Sequence, residues 1–118
     1  MTIENQHTEF KEIWKDEYIK TLAAFANTAG GKIIVGRNDI GKDIGIDNAK
    51  YLLENLPNKI FQKLNIHPIV KHIKSSSKDI IEIEVLPYDT AISYNGKFYI
   101  RTGSTTQELA DKELHRFL

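Results

Sequence analysis

The sequence contains no cysteine among its 118 residues. Disulfide bonds and thiolate metal sites are therefore excluded, and a reducing, cytoplasmic compartment fits this composition. The apolar runs are far shorter than the ~20 residues that a membrane-spanning helix needs. The first ten residues, MTIENQHTEF, lack the basic and apolar regions of a signal peptide. We therefore expect a cytoplasmic protein with no membrane partner.

The sequence also lacks a net charge, because sixteen basic residues balance sixteen acidic ones. Dedicated nucleic-acid-binding domains usually carry a basic excess. Any binding to a polyanion must therefore depend on a local basic patch or a bound cation, and it must weaken as salt is added. The length suits a single domain, which we place at residues 1–118.

The stretch of residues 21–39 predicts a helix that leads directly into a buried strand. Gly30 and Gly31 end the helix, since glycine adopts the left-handed conformation without a Cβ clash. Ile33–Val35 is a β-branched run without polar alternation, as expected of a strand buried on both faces. One helical face carries small and apolar residues at the right spacing: Tyr18, Leu22, Phe25, Ala26 and Ala29.

The loop after this strand resembles the start of a phosphate-binding P-loop. Gly36–Lys42, GRNDIGK, matches the pattern GxxxxGK. The next residue is Asp43, where the motif needs a serine or threonine for Mg²⁺, and residues 43–47 predict a short strand instead of the required helix. We therefore expect a strand–turn–strand hairpin and no ATP site in this domain.

The second half of the chain predicts a helix, two hairpins and a last helix. Pro57 interrupts an apolar helical stripe, which predicts a kink or two short helices. Residues 66–85 predict an antiparallel hairpin, and Asn95-Gly96 suits a type I′ turn. Thr105 and Glu108 fit a capping box before a helix at residues 107–117.

Two groups of residues are candidates for phosphate contacts. Lys71 and Lys74 belong to a basic cluster on the first hairpin, and such a cluster either improves solubility or binds a ligand. Arg101, Ser104 and Thr105 precede the last predicted helix, where a guanidinium and free amides make a phosphate seat. Capping alone also explains Thr105. The four histidines show no zinc-ligand spacing.

Glu4 and Glu9 lie five residues apart, so they point in different directions on a regular helix or strand. They converge only if a turn lies between them. Otherwise this segment is a solvated N-terminal arm.

Four motifs occur in order: E-x4-E-F-K at residues 4–11, KTLAAFANTAGG at 20–31, IIVG-x-x-D-x-G at 33–41 and FYIRTGSTT at 98–106. Together they resemble the Schlafen AlbA-like domain, also called the divergent AAA domain, over essentially the whole chain. In bacteria this resemblance implies the N-terminal module of a longer transcriptional regulator or RecG-related helicase-like protein, with nucleic acid, DNA or RNA, as the partner.

The resemblance to animal Schlafens implies a second set of residues. There, two lobes form a horseshoe that cleaves tRNA and rRNA with two glutamates, one aspartate and a divalent cation. The matching positions are Glu4, Glu9 and Asp39, which suit Mg²⁺ or Mn²⁺, while Lys11 would help to hold a phosphate. Arg37-Asn38 departs from the family pattern. A single lobe would need a homodimer to form a horseshoe.

We therefore predict an α+β domain: a mostly antiparallel mixed sheet covered by a helix at residues 15–29, the middle helices and the C-terminal helix. The first functional hypothesis is a nucleic-acid-binding module. The second is a divalent-metal-dependent endoribonuclease, and the third is an oligomerisation or protein-interaction module. The residues expected to contact nucleic acid are Arg101, Ser104, Thr105, Lys71, Lys74 and Lys11. Those expected to hold a metal ion and to act in catalysis are Glu4, Glu9 and Asp39.

Overall fold

The structure is a computed structural model that describes residues 3–118. A 3₁₀ turn at Asp16–Tyr18 precedes the first α-helix. In chain order the strands and helices are β1 (Thr8–Lys11), α1 (Ile19–Ala26), β2 (Gly31–Val35), α2 (Ala49–Leu64), β3 (Ile69–Ser75), β4 (Lys78–Val85), β5 (Ser93–Tyr94), β6 (Lys97–Thr102), β7 (Thr105–Glu108) and α3 (Asp111–Phe117).

The strands form two sheets. The larger has the order β1-β2-β4-β3, and the smaller has the order β5-β6-β7. Strands β1 and β2 are parallel, since α1 connects them as a crossover, whereas every other named pair is antiparallel. The predicted α+β domain with mostly antiparallel strands is confirmed, although its division into two sheets goes beyond the prediction.

Helix α1 lies at the centre of the core because it contacts strands of both sheets. Ala23, Ala24 and Ala26 are completely buried. These small side chains let the backbone of α1 come close to its neighbours, and larger residues such as Leu22 and Phe25 fill the space between the elements.

The predicted passage from helix to strand at the double glycine is confirmed. Gly30 has a φ of +79°, and its N–H donates to the carbonyl of Phe25 at 2.7 Å. Gly31 then begins β2, in which Ile33, Ile34 and Val35 are buried. The junction leads the chain directly from α1 into β2, an inner strand of the larger sheet.

Three local predictions are wrong. Residues 43–47 form no strand, because their pairing with the preceding residues is limited to one isolated bridge between Arg37 and Asp43. The alternative of two short helices fails, since Pro57 lies inside one continuous α2. Thr105 caps no helix, because residues 105–108 pair with β6 as β7 and α3 begins only at Asp111.

The Asn95-Gly96 turn is confirmed. Both residues have positive φ values, 52° and 78°, and they join β5 to β6. None of the helices in residues 3–118 has the length and apolar character that crossing a bilayer requires.

Candidate functional site

Arg101 projects from β6 into the space between the two sheets and reaches the N-terminal segment. Its Nη2 donates to Glu9 Oε1 at 2.6 Å and to the carbonyl of Asn5 at 2.9 Å. Its Nη1 donates to Thr106 Oγ1 at 3.3 Å, and the guanidinium lies 4.9 Å from the centre of the Phe25 ring. Arg101 therefore ties the smaller sheet to the segment that leads into β1.

This position does not fit the direct phosphate contact expected of Arg101. The side chain is only 1% exposed, and the buried charge is balanced by Glu9 and by hydrogen bonds. Its Nε has no hydrogen-bond partner among residues 3–118. We therefore correct the expected role from contacting a ligand to positioning Glu9.

The N-terminal segment forms the turn that the convergence of Glu4 and Glu9 requires. The N–H of Asn5 donates to the carbonyl of Thr8 at 3.0 Å, which reverses the chain. The N–H of Phe10 then donates to Glu4 Oε2 at 3.1 Å. Thr8 and Phe10 are buried, so the alternative of a solvated arm is wrong.

The pKa of Glu4 responds to both of the other predicted acids. Burial raises the pKa of Glu4, and the hydrogen bond from Phe10 opposes this rise. The nearby Glu9 carboxyl and the negative charge of Asp39 raise the pKa of Glu4 further. A carboxyl group crowded by two others favours its protonated form.

Glu9 is the most constrained of these acids. One of its oxygens pairs with Arg101, and the other lies 3.3 Å from Lys11 Nζ. Lys11 Nζ also lies 4.4 Å from the centre of the Tyr18 ring. Both Glu9 oxygens therefore already face a cation of the protein.

Asp39 lies in the exposed loop after β2, and its neighbours fix that loop. Arg37 Nε donates to Asp43 Oδ1 at 2.6 Å, and Ser75 Oγ donates to Asp43 Oδ2 at 2.7 Å. The hydrogen bonds from Arg37 and then Ser75 lower the pKa of Asp43. The loop is thereby anchored to the end of β3, while Asp39 stays exposed.

These acids do not form a ready-made metal cage. Within residues 3–118, no group of three His, Cys, Asp or Glu side chains is arranged to hold a metal ion. Their oxygens suit Mg²⁺ or Mn²⁺ chemically. Binding would require Lys11 to release the Glu9 oxygen that it faces.

The remaining predicted contacts lie on two exposed hairpins. Lys71 and Lys74 are exposed on β3, the outer strand of the larger sheet. Lys74 Nζ lies 3.0 Å from Asp79 Oδ1, and His72 Nε2 lies 2.9 Å from the same oxygen. His72 and then Lys74 lower the pKa of Asp79 through these hydrogen bonds.

Ser104 and Thr105 lie at the exposed turn between β6 and β7. Thr105 Oγ1 donates to the carbonyl of Thr102 at 2.8 Å. No helix begins here, so the free helical amides expected beside these hydroxyls are absent from this turn, which is a correction to the predicted phosphate seat.

Sequence reasoning missed the structural role of Asn27. Its side-chain amide donates to the carbonyls of Ile92 and Tyr99 at 2.8 and 2.9 Å, and its Oδ1 accepts from the N–H of Ile92. Asn27 therefore joins the end of α1 to the smaller sheet. The ion pair between Glu9 and Arg101 was also missed, because nothing in their sequence spacing links them.

Comparison with known proteins identifies the family. The family model for Schlafen, AlbA_2 matches residues 4–110. The chain belongs to this family. No curated protein gives a match.

Two solved structures share the fold of this Schlafen AlbA_2 domain. A protein from Corynebacterium diphtheriae aligns with a TM-score of 0.69 and 22% identity over 88% of this chain, which spans only 22% of that protein. The N-terminal domain of a RecG-related protein from Nitrosomonas europaea, named for ATP-dependent DNA helicases, aligns with a TM-score of 0.64 and 22% identity. That match covers 89% of this chain and 84% of the other.

Proposed function

We propose that this Schlafen AlbA_2 domain binds nucleic acid and serves as the N-terminal module of a longer transcriptional regulator or helicase-like protein. Its family membership supports this proposal, as does its fold, which is that of the N-terminal domain of a RecG-related protein. The Corynebacterium protein shows that the fold also occurs within a much longer chain.

The observation that carries the proposal is the group of exposed lysines on the hairpin formed by β3 and β4, which also carries the acidic residues Asp79, Glu82 and Glu84. Lys71, Lys74 and Lys78 are all exposed on it, although the whole chain has no net charge. Such a local patch supplies phosphate contacts that do not depend on sequence. Ser104 is proposed as a hydrogen-bond donor at the second exposed turn, and Thr105 as a second donor if its hydroxyl releases the carbonyl of Thr102.

The test is a titration of labelled single-stranded and duplex DNA and RNA, followed by fluorescence anisotropy at several salt concentrations. The double variant Lys71→Ala/Lys74→Ala should weaken binding to all sequences and reduce the salt slope by about 1.4 to 1.8, roughly 0.7 to 0.9 per lost phosphate contact. Lys112→Ala, which removes an exposed lysine of α3, is the control. An unchanged salt slope in the double variant would exclude the hairpin as the binding surface.

We propose a divalent-metal-dependent endoribonuclease as the second candidate function. The raised pKa of Glu4, caused in part by Glu9 and Asp39, favours it because clustered carboxylates are a setting that a hard cation stabilises. A bound Mg²⁺ or Mn²⁺ would polarise a phosphate and activate a water molecule. Lys11 lies close enough to Glu9 to take part in holding the phosphate.

Incubation of structured RNA with the protein and Mn²⁺ distinguishes the two functions. Cleavage by the wild type that disappears in Asp39→Asn, but persists in the control Asp89→Asn, would support the nuclease. Binding without cleavage under all conditions would support the nucleic-acid-binding module and exclude the nuclease. If no nucleic acid binds at low salt and the protein sediments as a stable homodimer, the interaction module becomes the better proposal.

A further inference from the structure

A cavity of about 620 Å³ opens where the chain leaves the two parallel strands of the larger sheet. Ile13 and Trp14, which follow β1, line one part of it, and Ile44 and Ile46, which follow β2, line another. The volume lies within the range of roughly 300–1,000 Å³ that is usual for small-ligand pockets.

The other wall of the cavity is polar but is not suited to phosphate. Asp47, Asn48, Lys78 and Asp79 all line it, and Asp79 is already paired with Lys74, so the Asp47 carboxylate balances the Lys78 ammonium and the wall has no excess of positive charge. The Asn48 side chain makes no capping hydrogen bond to α2, which leaves its amide free to donate and accept. This wall favours a neutral group that carries both hydrogen-bond donors and acceptors.

Trp14 supplies the aromatic surface of the cavity. Its indole N–H already donates to Asp16 Oδ1 at 2.8 Å, so a ligand need not satisfy it. Tyr18 meets Trp14 edge to face, with ring centres 5.8 Å apart and an angle of 87° between the planes. The neighbouring Ile13 is 57% exposed, which extends the apolar surface outward.

We propose that this cavity is a subsite for one unpaired nucleobase, which stacks on Trp14 and hydrogen-bonds with Asp47 or Asn48. An unpaired base presents a flat apolar face and a polar edge, which match the two walls of the cavity. The phosphates would remain outside, beside Lys78 and the neighbouring Lys74. This inference rests on the proposed nucleic-acid binding, since it names the part of the nucleic acid that the domain recognises.

The intrinsic fluorescence of Trp14 provides a direct test, because it is the only tryptophan in the chain. A single-stranded oligonucleotide should quench this fluorescence at the concentrations at which it binds by anisotropy. An abasic oligomer of the same length, with the same number of phosphates, should bind more weakly and leave the fluorescence unchanged. This comparison uses the wild-type protein and so does not depend on whether a variant folds.

Two variants test whether the base stacks on Trp14. Trp14→Leu should lower the affinity for the base-containing strand by about tenfold, in the range of one lost stacking contact, and leave the affinity for the abasic oligomer unchanged. Tyr88→Leu, which changes a 40% exposed aromatic residue outside the cavity, should alter neither affinity.

Each failure has a separate meaning. Binding by anisotropy without a change in Trp14 fluorescence would overturn the base subsite but leave the proposed nucleic-acid binding intact. An equal loss of affinity for both oligomers in Trp14→Leu would have the same meaning. The absence of any binding by anisotropy at low salt would overturn both.

Discussion

Arg101 carries its charge into the interior between two sheets, where Glu9, a turn of backbone and the Phe25 ring surround it. Removing one partner of such a pair leaves the other charge buried without compensation, which usually costs more than the pair itself contributes. Arg101 therefore contributes to stability chiefly because its removal would leave the charge of Glu9 without its buried partner.

We predict that Arg101→Met lowers the free energy of unfolding by about 3–5 kcal/mol, since it leaves Oε1 of Glu9 and the carbonyl of Asn5 without the donor that they share, and only Lys11 still faces the carboxylate. Urea denaturation followed by circular dichroism measures this loss. Combining Arg101→Met with Glu9→Gln should recover part of it, because the second change removes the stranded charge. A loss below about 1 kcal/mol in the single variant would contradict the structural role of the pair.

Glu4 gives a prediction about pH. Because the folded state raises the pKa of Glu4, it holds the proton more tightly than the unfolded state does, so stability falls as the pH rises from the ordinary value through the raised one. The neutral variant Glu4→Gln keeps an acceptor for the Phe10 N–H. It should therefore unfold at a higher temperature than the wild type at pH 7.

This advantage should shrink as the pH falls below the ordinary pKa of a glutamate, because wild-type Glu4 is then protonated in both states. Thermal melts at pH 3.5 and pH 7 measure the difference. Glu12→Gln, which removes an exposed carboxylate from the same segment, controls for the loss of one negative charge. A variant less stable than the wild type at pH 7 would contradict the raised pKa of Glu4.

The sequence identified Glu4, Glu9 and Asp39 only through their match to family motifs. Spacing alone could not bring Glu4 to Glu9, because the turn between them is held by Arg101, 92 residues after Glu9. The sequence did indicate Arg101 as a candidate site residue. It could not show whether the side chain is buried or exposed, because the strand that carries it has mixed polarity. Only the packing of Phe25 beneath its guanidinium distinguishes them.

At the level of elements, the double glycine sets how closely α1 approaches β2. A Cβ atom on Gly31 would lie 2.5 Å from Cδ1 of the Phe25 ring, closer than atoms of a packed core can come. Glycine at this position is required by contact with the helix that it follows, not by a positive φ value.

We predict that Gly31→Ala lowers the free energy of unfolding by about 3 kcal/mol, the upper part of the range for overpacked cores. The control is Gly103→Ala, where φ is +57° but no atom lies within 4 Å of the added Cβ, and where the cost should be about 1 kcal/mol. Phe25→Leu should reduce the cost of Gly31→Ala if the ring is the obstacle. Equal losses at both glycines would show that backbone conformation, and not the ring, decides the outcome.

The elements that depend on local chemistry were predictable, whereas those that depend on pairing were not. Gly30-Gly31 and Asn95-Gly96 carry their conformational preference in their own sequence, and both form as expected. Thr105 and Glu108 fit a capping box equally well, yet pairing with β6 draws them into a strand. The local sequence does not show whether a partner strand is present.

At the scale of the whole molecule, a divalent cation bound by the three acids would couple to global stability. We predict that Mn²⁺ raises the thermal unfolding midpoint of the wild type, by an amount equivalent to about 1.4 kcal/mol when its concentration is ten times the dissociation constant. Adding a chelator should reverse the rise. A differential scanning measurement with and without Mn²⁺ checks both.

The double variant Glu4→Gln/Glu9→Gln should show no such rise, whereas the control Asp89→Asn should behave like the wild type. If the midpoint rises equally in all three proteins, the ion binds elsewhere. If it rises in none, the carboxylates act without a metal.

The long separation between Glu9 and Arg101 has a consequence for how the protein is made. Glu9 lies in β1, near the start of the chain. Arg101, the cation that neutralises its carboxylate, leaves the ribosome 92 residues later. The ion pair of Glu9 therefore forms only after β6 has been synthesised, and a truncated product that stops before residue 101 would lack the guanidinium that orients this carboxylate.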